Sequence, residues 1–368
     1  MDREKFLRIQ GKLQKYGTLL RYFSFVILTF LFLQVKAFSV DINSSLMPKI
    51  SLFGGILQII LFLVFLLLEE GSFSNLLISL KKNIFEDAKS TFKMALPPIL
   101  FLLASEFRGI AKIIIPMDEG SMSSFYIIGV AICSVIILKR KFMLTQALAI
   151  LLISMGLTYF PSDYHQTSST STITNLFGND ELYAYISIAL AIACFGLGFG
   201  ILEHNLKAKN ASLWICGIQF NLFVVPIAFT FSIANYIFDE SSRGFFDNFN
   251  IISSFFVIFL VACLMMKLFV VKVADSIFCM IALSIATALI GMMKNSFTLD
   301  SDSHVKIGAG LVLAGSALYI VIDVLNPNPT SLGDEESLKE VQSYTIPMKL
   351  YQSVPTVSYK VKNNITES

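Results

Sequence analysis

The stretch MALPPILFLLASEFRGIAKIII, residues 94–115, indicates the class of fold. It is long enough to cross a bilayer as one helix, since about 20 apolar residues span the hydrocarbon core. It also carries Glu106, Arg108 and Lys112. Charges inside a membrane are costly and face either a partner or a water-filled cavity. We therefore expect this segment to be a membrane helix with a functional or structural polar face.

Similar apolar runs recur along the whole chain of 368 residues. Only 15% of the residues are charged, against about 25% in soluble proteins. The mean hydropathy is +0.71, which predicts an all-α polytopic membrane protein rather than a soluble domain with one anchor. The first run is too long for a signal-peptide core, so it is predicted to be an uncleaved signal-anchor. The ten predicted spans cover residues 18–39, 50–68, 94–115, 121–138, 143–160, 182–203, 211–237, 251–271, 276–293 and 307–325.

Lysine and arginine predict the orientation of these spans. If both termini are cytosolic, nineteen of these residues lie in cytosolic segments and four on the opposite side. This bias follows the positive-inside rule and requires an even number of spans. The first and last spans are the least regular, because they contain Arg21, Lys36 and Asp323.

The chain is predicted to divide into a membrane domain with two flanking segments. Residues 1–17 form a cytosolic N-terminal segment, and residues 326–368 form a flexible cytosolic tail. The membrane domain, 18–325, consists of halves 18–160 and 182–325 joined by a lumenal linker, 161–181. Each half has five spans, so two related halves would have opposite orientations, as in inverted-repeat transporters. Asn43 begins a glycosylation sequon in the first lumenal loop, but the loop is short and an unmodified asparagine is favoured.

The three charges of the third span do not share one face. At about 100° per residue, Arg108 and Lys112 lie about 40° apart, whereas Glu106 is about 160° from Arg108. Two interpretations stay open for these cations. They form a cationic wall for an anionic substrate, or they pair with another helix, and the second is favoured for Lys112, which lies nearer the span end.

Other polar residues also allow two interpretations. Gln219 and Asn221 of the seventh span either bind a ligand or tie helices together. Glu203, four residues before Lys207, either contributes to a site or forms an exposed i,i+4 pair. Small-residue pairs predict close helix packing, and Pro97-Pro98 is predicted to open the third span. These small-residue pairs are Gly196 with Gly200 and Gly310 with Ala314.

No enzyme, metal or cofactor site is predicted. The histidines lie at loops or span ends without a ligand pattern. The cysteines all fall in apolar runs, which is typical of small membrane-embedded residues. These residues are His165, His204, His304, Cys133, Cys194, Cys216, Cys263 and Cys279.

Ordered motifs over roughly residues 15–325 resemble the nucleotide-sugar transporter family of the Golgi, which includes the CMP-sialic acid, UDP-galactose and UDP-N-acetylglucosamine transporters. The motifs are LQKYGTLL, FKMALPPIL, LKRKF, GLTYFPSD, ILEHNLKAKNASLWICGIQF, RGFFDNF and VVKVADSI. The resemblance implies a ten-helix antiporter that exchanges a nucleotide sugar for a nucleoside monophosphate. Its central site would hold phosphate with cations and read the base with polar groups.

The chain departs from the family pattern where the resemblance implies binding. Ala104-Ser105-Glu106 replaces a run of neutral amides, and the fourth span has no lysine. Cys279 takes the place of a lysine in the ninth span, and Gly217 and Asn221 replace an asparagine and a tyrosine. We hypothesise that Arg108 and Lys112 supply the missing positive charge.

The resemblance favours an antiporter that brings a UDP-sugar into the Golgi lumen in exchange for UMP. The alternatives are a carrier for another organic anion, or a non-transporting membrane scaffold with a degenerate site. The predicted partners are the nucleotides and the lipid bilayer, not nucleic acid, and homodimer formation stays open. The endoplasmic reticulum is the alternative location.

Overall fold

A computed structural model describes residues 3–39, 47–115, 119–159, 180–207, 212–238, 249, 251–297 and 303–325. This part of the chain is entirely helical apart from short turns. Asn43, most of the predicted linker and the predicted tail lie outside it. The helices are α1 (Arg3–Ser39), α2 (Met47–Glu70), α3 (Phe73–Leu80), a π-helix (Lys81–Glu86), α4 (Ala88–Ile114), α5 (Glu119–Leu138), α6 (Leu144–Thr158), α7 (Asp180–Leu206), α8 (Leu213–Phe238), α9 (Ile251–Val273), α10 (Ser276–Phe297) and α11 (Ser303–Leu325).

A helix lies at each of the ten predicted spans, although α6 and α8 begin one or two residues inside theirs. Eight helices in the described part of the chain are long and apolar enough to cross a membrane, namely α1, α2, α4 and α7 to α11. The apolar parts of α5 and α6, Met122–Leu138 and Leu144–Thr158, are shorter. The protein is therefore an all-α polytopic membrane protein.

The start of α4 differs from the prediction. Asp87 caps the helix by accepting a hydrogen bond from the Ser90 amide at 3.2 Å, so α4 begins six residues before the predicted span. Pro97 and Pro98 therefore lie inside the helix, and the expectation that they open it is wrong. Pro97 cannot donate to the carbonyl of Lys93, four residues earlier. The side-chain amide of Asn205 on α7 donates to this carbonyl instead, at 3.2 Å.

Glycine allows close contact at two helix pairs. A Cβ atom at Gly196 of α7 would lie 2.6 Å from the carbonyl oxygen of Gly129 on α5. A Cβ at Gly156 of α6 would lie equally close, 2.6 Å, to the carbonyl oxygen of Gly308 on α11. The predicted close packing at Gly196 is confirmed.

The small-residue face predicted at Gly310 and Ala314 is wrong. Among the described residues no atom lies within 4 Å of a Cβ built at Gly310, and Ala314 is exposed. Gly308 and Gly315 face α6 instead, because these two positions lie on the buried side of α11.

The main packing pairs follow a regular pattern. We compare the set α1, α2, α4, α5 and α6 with the set α7 to α11, taken in the same order. The contact of α4 with α7 corresponds to that of α9 with α1, and the contact of α5 with α7 corresponds to that of α10 with α1. Likewise α5–α6 corresponds to α10–α11, and α4–α8 to α9–α2. In three further contacts each helix packs against its own counterpart in the other set. These contacts are α2–α8, α6–α11 and α5–α10.

Candidate functional site

Lys267 of α9 lies in the interior of the bundle. Its ammonium nitrogen is 4.8 Å from the ring centroid of Phe101 on α4 and 4.4 Å from that of Phe199 on α7. It also interacts electrostatically with Cys263 and Cys279, which are almost fully buried. Lys267 nevertheless keeps part of its surface accessible. These neighbours belong to α4, α7 and α10 and to α9 itself, so Lys267 lies where four helices meet.

Four aromatic rings form what we call the central aromatic cluster: Phe101, Tyr126, Phe195 and Phe199. Tyr126 stacks on Phe195 with ring centroids 4.2 Å apart, and Phe195 contacts Phe199 at 5.0 Å. Phe101 lies 5.6 Å from Phe195 and 5.2 Å from Phe199. Gly198 permits this arrangement, since a Cβ there would lie 2.8 Å from a ring carbon of Phe101. Tyr126 and Phe199 are buried, whereas Phe101 and Phe195 keep part of their surface exposed, and an exposed ring face accepts planar groups by stacking.

The structure separates the three charges of the predicted third span. Arg108 is half-buried and interacts electrostatically with Tyr126 of the central aromatic cluster. Glu106 is exposed on a different face, which it shares with the exposed Leu103 and Ile110. Lys112 is half-buried and makes no hydrogen bond or ion pair with any described residue. Of these three charged residues, only Arg108 interacts with the central aromatic cluster. It lies about 10 Å from Phe101 along the axis of α4.

The predicted amides of α8 are used within the fold. The Gln219 side chain donates to the carbonyl of Asn83 at 2.9 Å and to the hydroxyl of Thr91 at 3.1 Å. It therefore ties α8 to the π-helix and to α4. Asn221 donates to the carbonyl of Gly217 in its own helix at 2.9 Å. Both residues are buried; the contacts of Gln219 favour its interpretation as a helix tie, whereas the described bond of Asn221 stays within α8.

Lys267 was missed as a candidate from the sequence. It lies inside the predicted span 251–271, and the rule that singled out Arg108 applies equally to it. Lys267 lies about 9 Å from the centre of that span along the helix, on the side of its C-terminal end. Cys279, the position where the resemblance implies a lysine, lies beside Lys267, so a cation from a neighbouring helix occupies this region.

A second group of charges, which we call the ionic cluster, lies about one helical turn from Phe199. Its members are Arg21, Arg140, Glu203, Lys207, Asp275 and Asp323. Glu203 is 0% exposed and forms ion pairs with Arg140 and, at 2.8 Å, with Lys207. Its carboxylate also accepts two hydrogen bonds from Ser276, from the hydroxyl at 2.7 Å and from the backbone amide at 3.0 Å. The predicted i,i+4 pair with Lys207 exists, but its expected exposure is wrong because α10 covers Glu203.

The ionic cluster also explains two of the irregular charges of the first and last predicted spans, Arg21 and Asp323. Arg21 of α1 pairs with Asp323 of α11 at 2.9 Å, and Tyr22 donates to the same carboxylate at 3.2 Å. Arg21 also lies over the ring of Phe278 at 4.2 Å. Each of these two charges would be unfavourable in an isolated span, and in the folded protein Arg21 and Asp323 neutralise each other.

Asp275 connects the ionic cluster to the start of α10. Its carboxylate is 3.2 Å from Arg140 and 3.6 Å from Arg21, and it caps α10 by accepting from the Phe278 amide at 2.8 Å. Burial alone would raise the pKa of Asp275, but the nearby cations, Arg140 foremost, hold it below its usual value. The carboxylate is consequently charged at neutral pH and joins α10 to the α5–α6 loop.

Comparison with known proteins identifies the family. Residues 17–320 match the sequence model of the nucleotide-sugar transporter family. The chain belongs to this family. It is therefore a membrane transport protein by descent, and the family contains transporters rather than enzymes.

Individual relatives are distant. A UDP-N-acetylglucosamine transporter of Rattus norvegicus is 26% identical over 253 residues, which cover 65% of this chain and 74% of the relative. A transporter of the same name from Canis lupus familiaris is 26% identical over 263 residues, covering 68% and 77%. The UDP-galactose/UDP-N-acetylglucosamine transporter srf-3 of Caenorhabditis elegans is 24% identical over 173 residues, covering 45% and 44%.

Proposed function

We propose that this protein is a nucleotide-sugar antiporter that carries a UDP-sugar into the Golgi lumen in exchange for UMP. Family membership supports transport of a nucleotide sugar, and the names of the relatives favour uridine nucleotides. The observation that carries the proposal is the central aromatic cluster with Lys267 at one end and Arg108 at the other. Aromatic faces suit a base or a sugar, and cations suit a diphosphate.

The transport mechanism would depend on two inverted halves, 18–160 and 182–325, with five spans each. The regular pattern of packing pairs supports this proposal, because exchanging the two sets of helices preserves the main contacts. Halves with an odd number of spans have opposite orientations, which permits alternating access around a central site. Such a carrier binds its substrate between the halves and opens to one side at a time.

The ionic cluster would close the site towards the cytosol. The positive-inside bias places the loop of Arg140, the end of α7 and the start of α10 on that side. The cluster joins α1 and the α5–α6 loop of the first half to α7, α10 and α11 of the second half. We propose that these ion pairs separate when the carrier opens towards the cytosol, where the nucleotide sugar would be loaded.

The proposed activity is tested first by ligand binding and then by exchange. We expect UDP-sugars and UMP to raise the melting midpoint of the detergent-purified protein, because a ligand that binds the folded state stabilises it. The protein in liposomes loaded with UMP is then expected to accumulate radiolabelled UDP-N-acetylglucosamine. A response to other organic anions alone would favour the alternative carrier, and no response to any anion would favour the scaffold.

Arg108→Gln is expected to lower UDP-sugar exchange by about tenfold or more, since a charge-assisted contact would be lost. The measurement is counterflow in liposomes at matched protein content. Lys306→Gln is the control, because Lys306 is exposed on α11 and far along the chain from the cluster. Unchanged exchange by the Arg108 variant would remove Arg108 from the proposed site.

A further inference from the structure

We propose that Lys267 forms the phosphate-binding site of this carrier, held between the rings of Phe101 and Phe199. This inference rests on the proposed function and deepens it, because it assigns the ligand group and the residue that binds it. The ligand class is a phosphate or pyrophosphate group of a nucleotide. The cation is provided by α9, whereas the position on α10 where the resemblance implies a lysine carries Cys279.

The first argument is that Lys267 lacks a countercharge. Within the part of the chain that the structure describes, its ammonium makes no ion pair and no hydrogen bond; it lies over two aromatic rings and interacts electrostatically with two buried thiols. A buried cation without a partner is unfavourable in a membrane protein and marks a functional site. An anionic ligand would supply the missing charge.

The second argument is that the nearby carboxylates are already engaged. The ionic cluster contains three carboxylates, Glu203, Asp275 and Asp323, and three cations pair with them. Glu203 also accepts both hydrogen bonds from Ser276. Each of these acids is already paired with a cation of its own cluster, and none of them forms a described ion pair with Lys267.

The third argument concerns geometry. Phe101 and Phe199 contact the ammonium from α4 and α7, and cation–π attraction holds it over their ring faces. The Lys267 residue as a whole is half-buried rather than fully enclosed, and we place the phosphate oxygens on the side of the ammonium away from the two rings. Phosphate oxygens are strong acceptors from an ammonium group at a partly dehydrated position.

The other cations of the membrane interior fit this role less well. Arg108 is about 10 Å from the level of Phe101 along α4 and lies near Tyr126, at the other end of the central aromatic cluster. Lys112 is one further turn away and contacts no member of the cluster. A ligand with its phosphate at Lys267 would extend along the aromatic rings towards Arg108.

The test compares Lys267→Met with a charge-relocated variant. Lys267→Met is expected to lower UDP-sugar exchange by about tenfold or more and to abolish the thermal shift with UMP and pyrophosphate. The double variant Lys267→Met/Cys279→Lys returns an ammonium to the same region and is expected to recover part of both signals. Lys89→Met, at an exposed position near the start of α4, is the control and should behave as the wild type.

A structural role for Lys267 predicts a different result. If the lysine only stabilises the fold, Lys267→Met would lower the midpoint of the unliganded protein. If it binds an anion, methionine in this apolar surrounding would leave that midpoint unchanged or raise it. Wild-type exchange or a retained UMP shift in Lys267→Met would overturn the inference while leaving nucleotide-sugar transport intact.

The experiment also separates this inference from the proposed function. If the wild-type protein binds no nucleotide but shows a pyrophosphate shift that Lys267→Met removes, the anion site stands and the nucleotide assignment fails. If wild type responds to neither nucleotide nor pyrophosphate, both proposals are overturned.

Discussion

Replacing Glu203 with glutamine is expected to lower the free energy of unfolding by about 3–5 kcal/mol, the cost of breaking a buried ion pair from one side. Glu203 is 0% exposed and bonds to Arg140, Lys207 and Ser276. Glutamine has nearly the same shape but no charge, so the two cations would lose a common partner. The measurement is the melting midpoint of the detergent-purified variant, followed by intrinsic fluorescence.

Lys207→Met provides the matched comparison for Glu203→Gln. The Lys207 side chain is 17% exposed, and Glu203 keeps Arg140 and Ser276 when Lys207 is removed. We therefore expect a clearly smaller decrease in the midpoint for Lys207→Met. Equal midpoints for Glu203→Gln and the wild type would show that the ionic cluster contributes little to stability.

Gly156→Ala is expected to lower the free energy of unfolding by about 1–3 kcal/mol or more, as overpacking of a close contact does. The new methyl group would lie 2.6 Å from the carbonyl oxygen of Gly308 and 2.8 Å from the backbone nitrogen of Val312. These are backbone atoms, so a side-chain rotation cannot relieve the clash. The helices α6 and α11 would have to separate.

Gly310→Ala makes the same chemical change on the open side of α11. In the part of the chain that the structure describes, no atom lies within 4 Å of the new Cβ, and alanine favours a helix over glycine by about 1 kcal/mol. The two substitutions should therefore shift the melting midpoint in opposite directions, down for Gly156→Ala and up for Gly310→Ala. A decrease of similar size in both variants would contradict the assigned packing of α11 on α6.

The helical segments could be predicted because apolar length is a local property. Each predicted span contains a helix, since a chain in lipid must satisfy its backbone hydrogen bonds within the segment. The early start of α4 was not predictable from hydropathy, because the cap at Asp87 lies in a polar stretch. Likewise, hydropathy does not show that Asn205 compensates for Pro97. The number of membrane spans stays a prediction.

The candidate site was predicted in part by the same local rule. Arg108 is connected to the central aromatic cluster, whereas Glu106 lies on another, exposed face. Gln219 and Asn221 have the polar character expected of ligand-binding residues, but their described bonds are to the fold itself. Hydrogen-bond partners distant in sequence cannot be read from one segment.

The sequence by itself determined that this is a helical membrane protein with a positive-inside bias and the motifs of a nucleotide-sugar transporter. Only the tertiary structure decided which intramembrane charges are paired. Arg21 and Asp323 are 302 residues apart in sequence and compensate each other, whereas Lys267 lies over two aromatic rings and forms no ion pair with any described residue. Electrostatic energy depends on distances in space, so the order of residues along the chain cannot distinguish a neutralised cation from one that is free to bind a ligand.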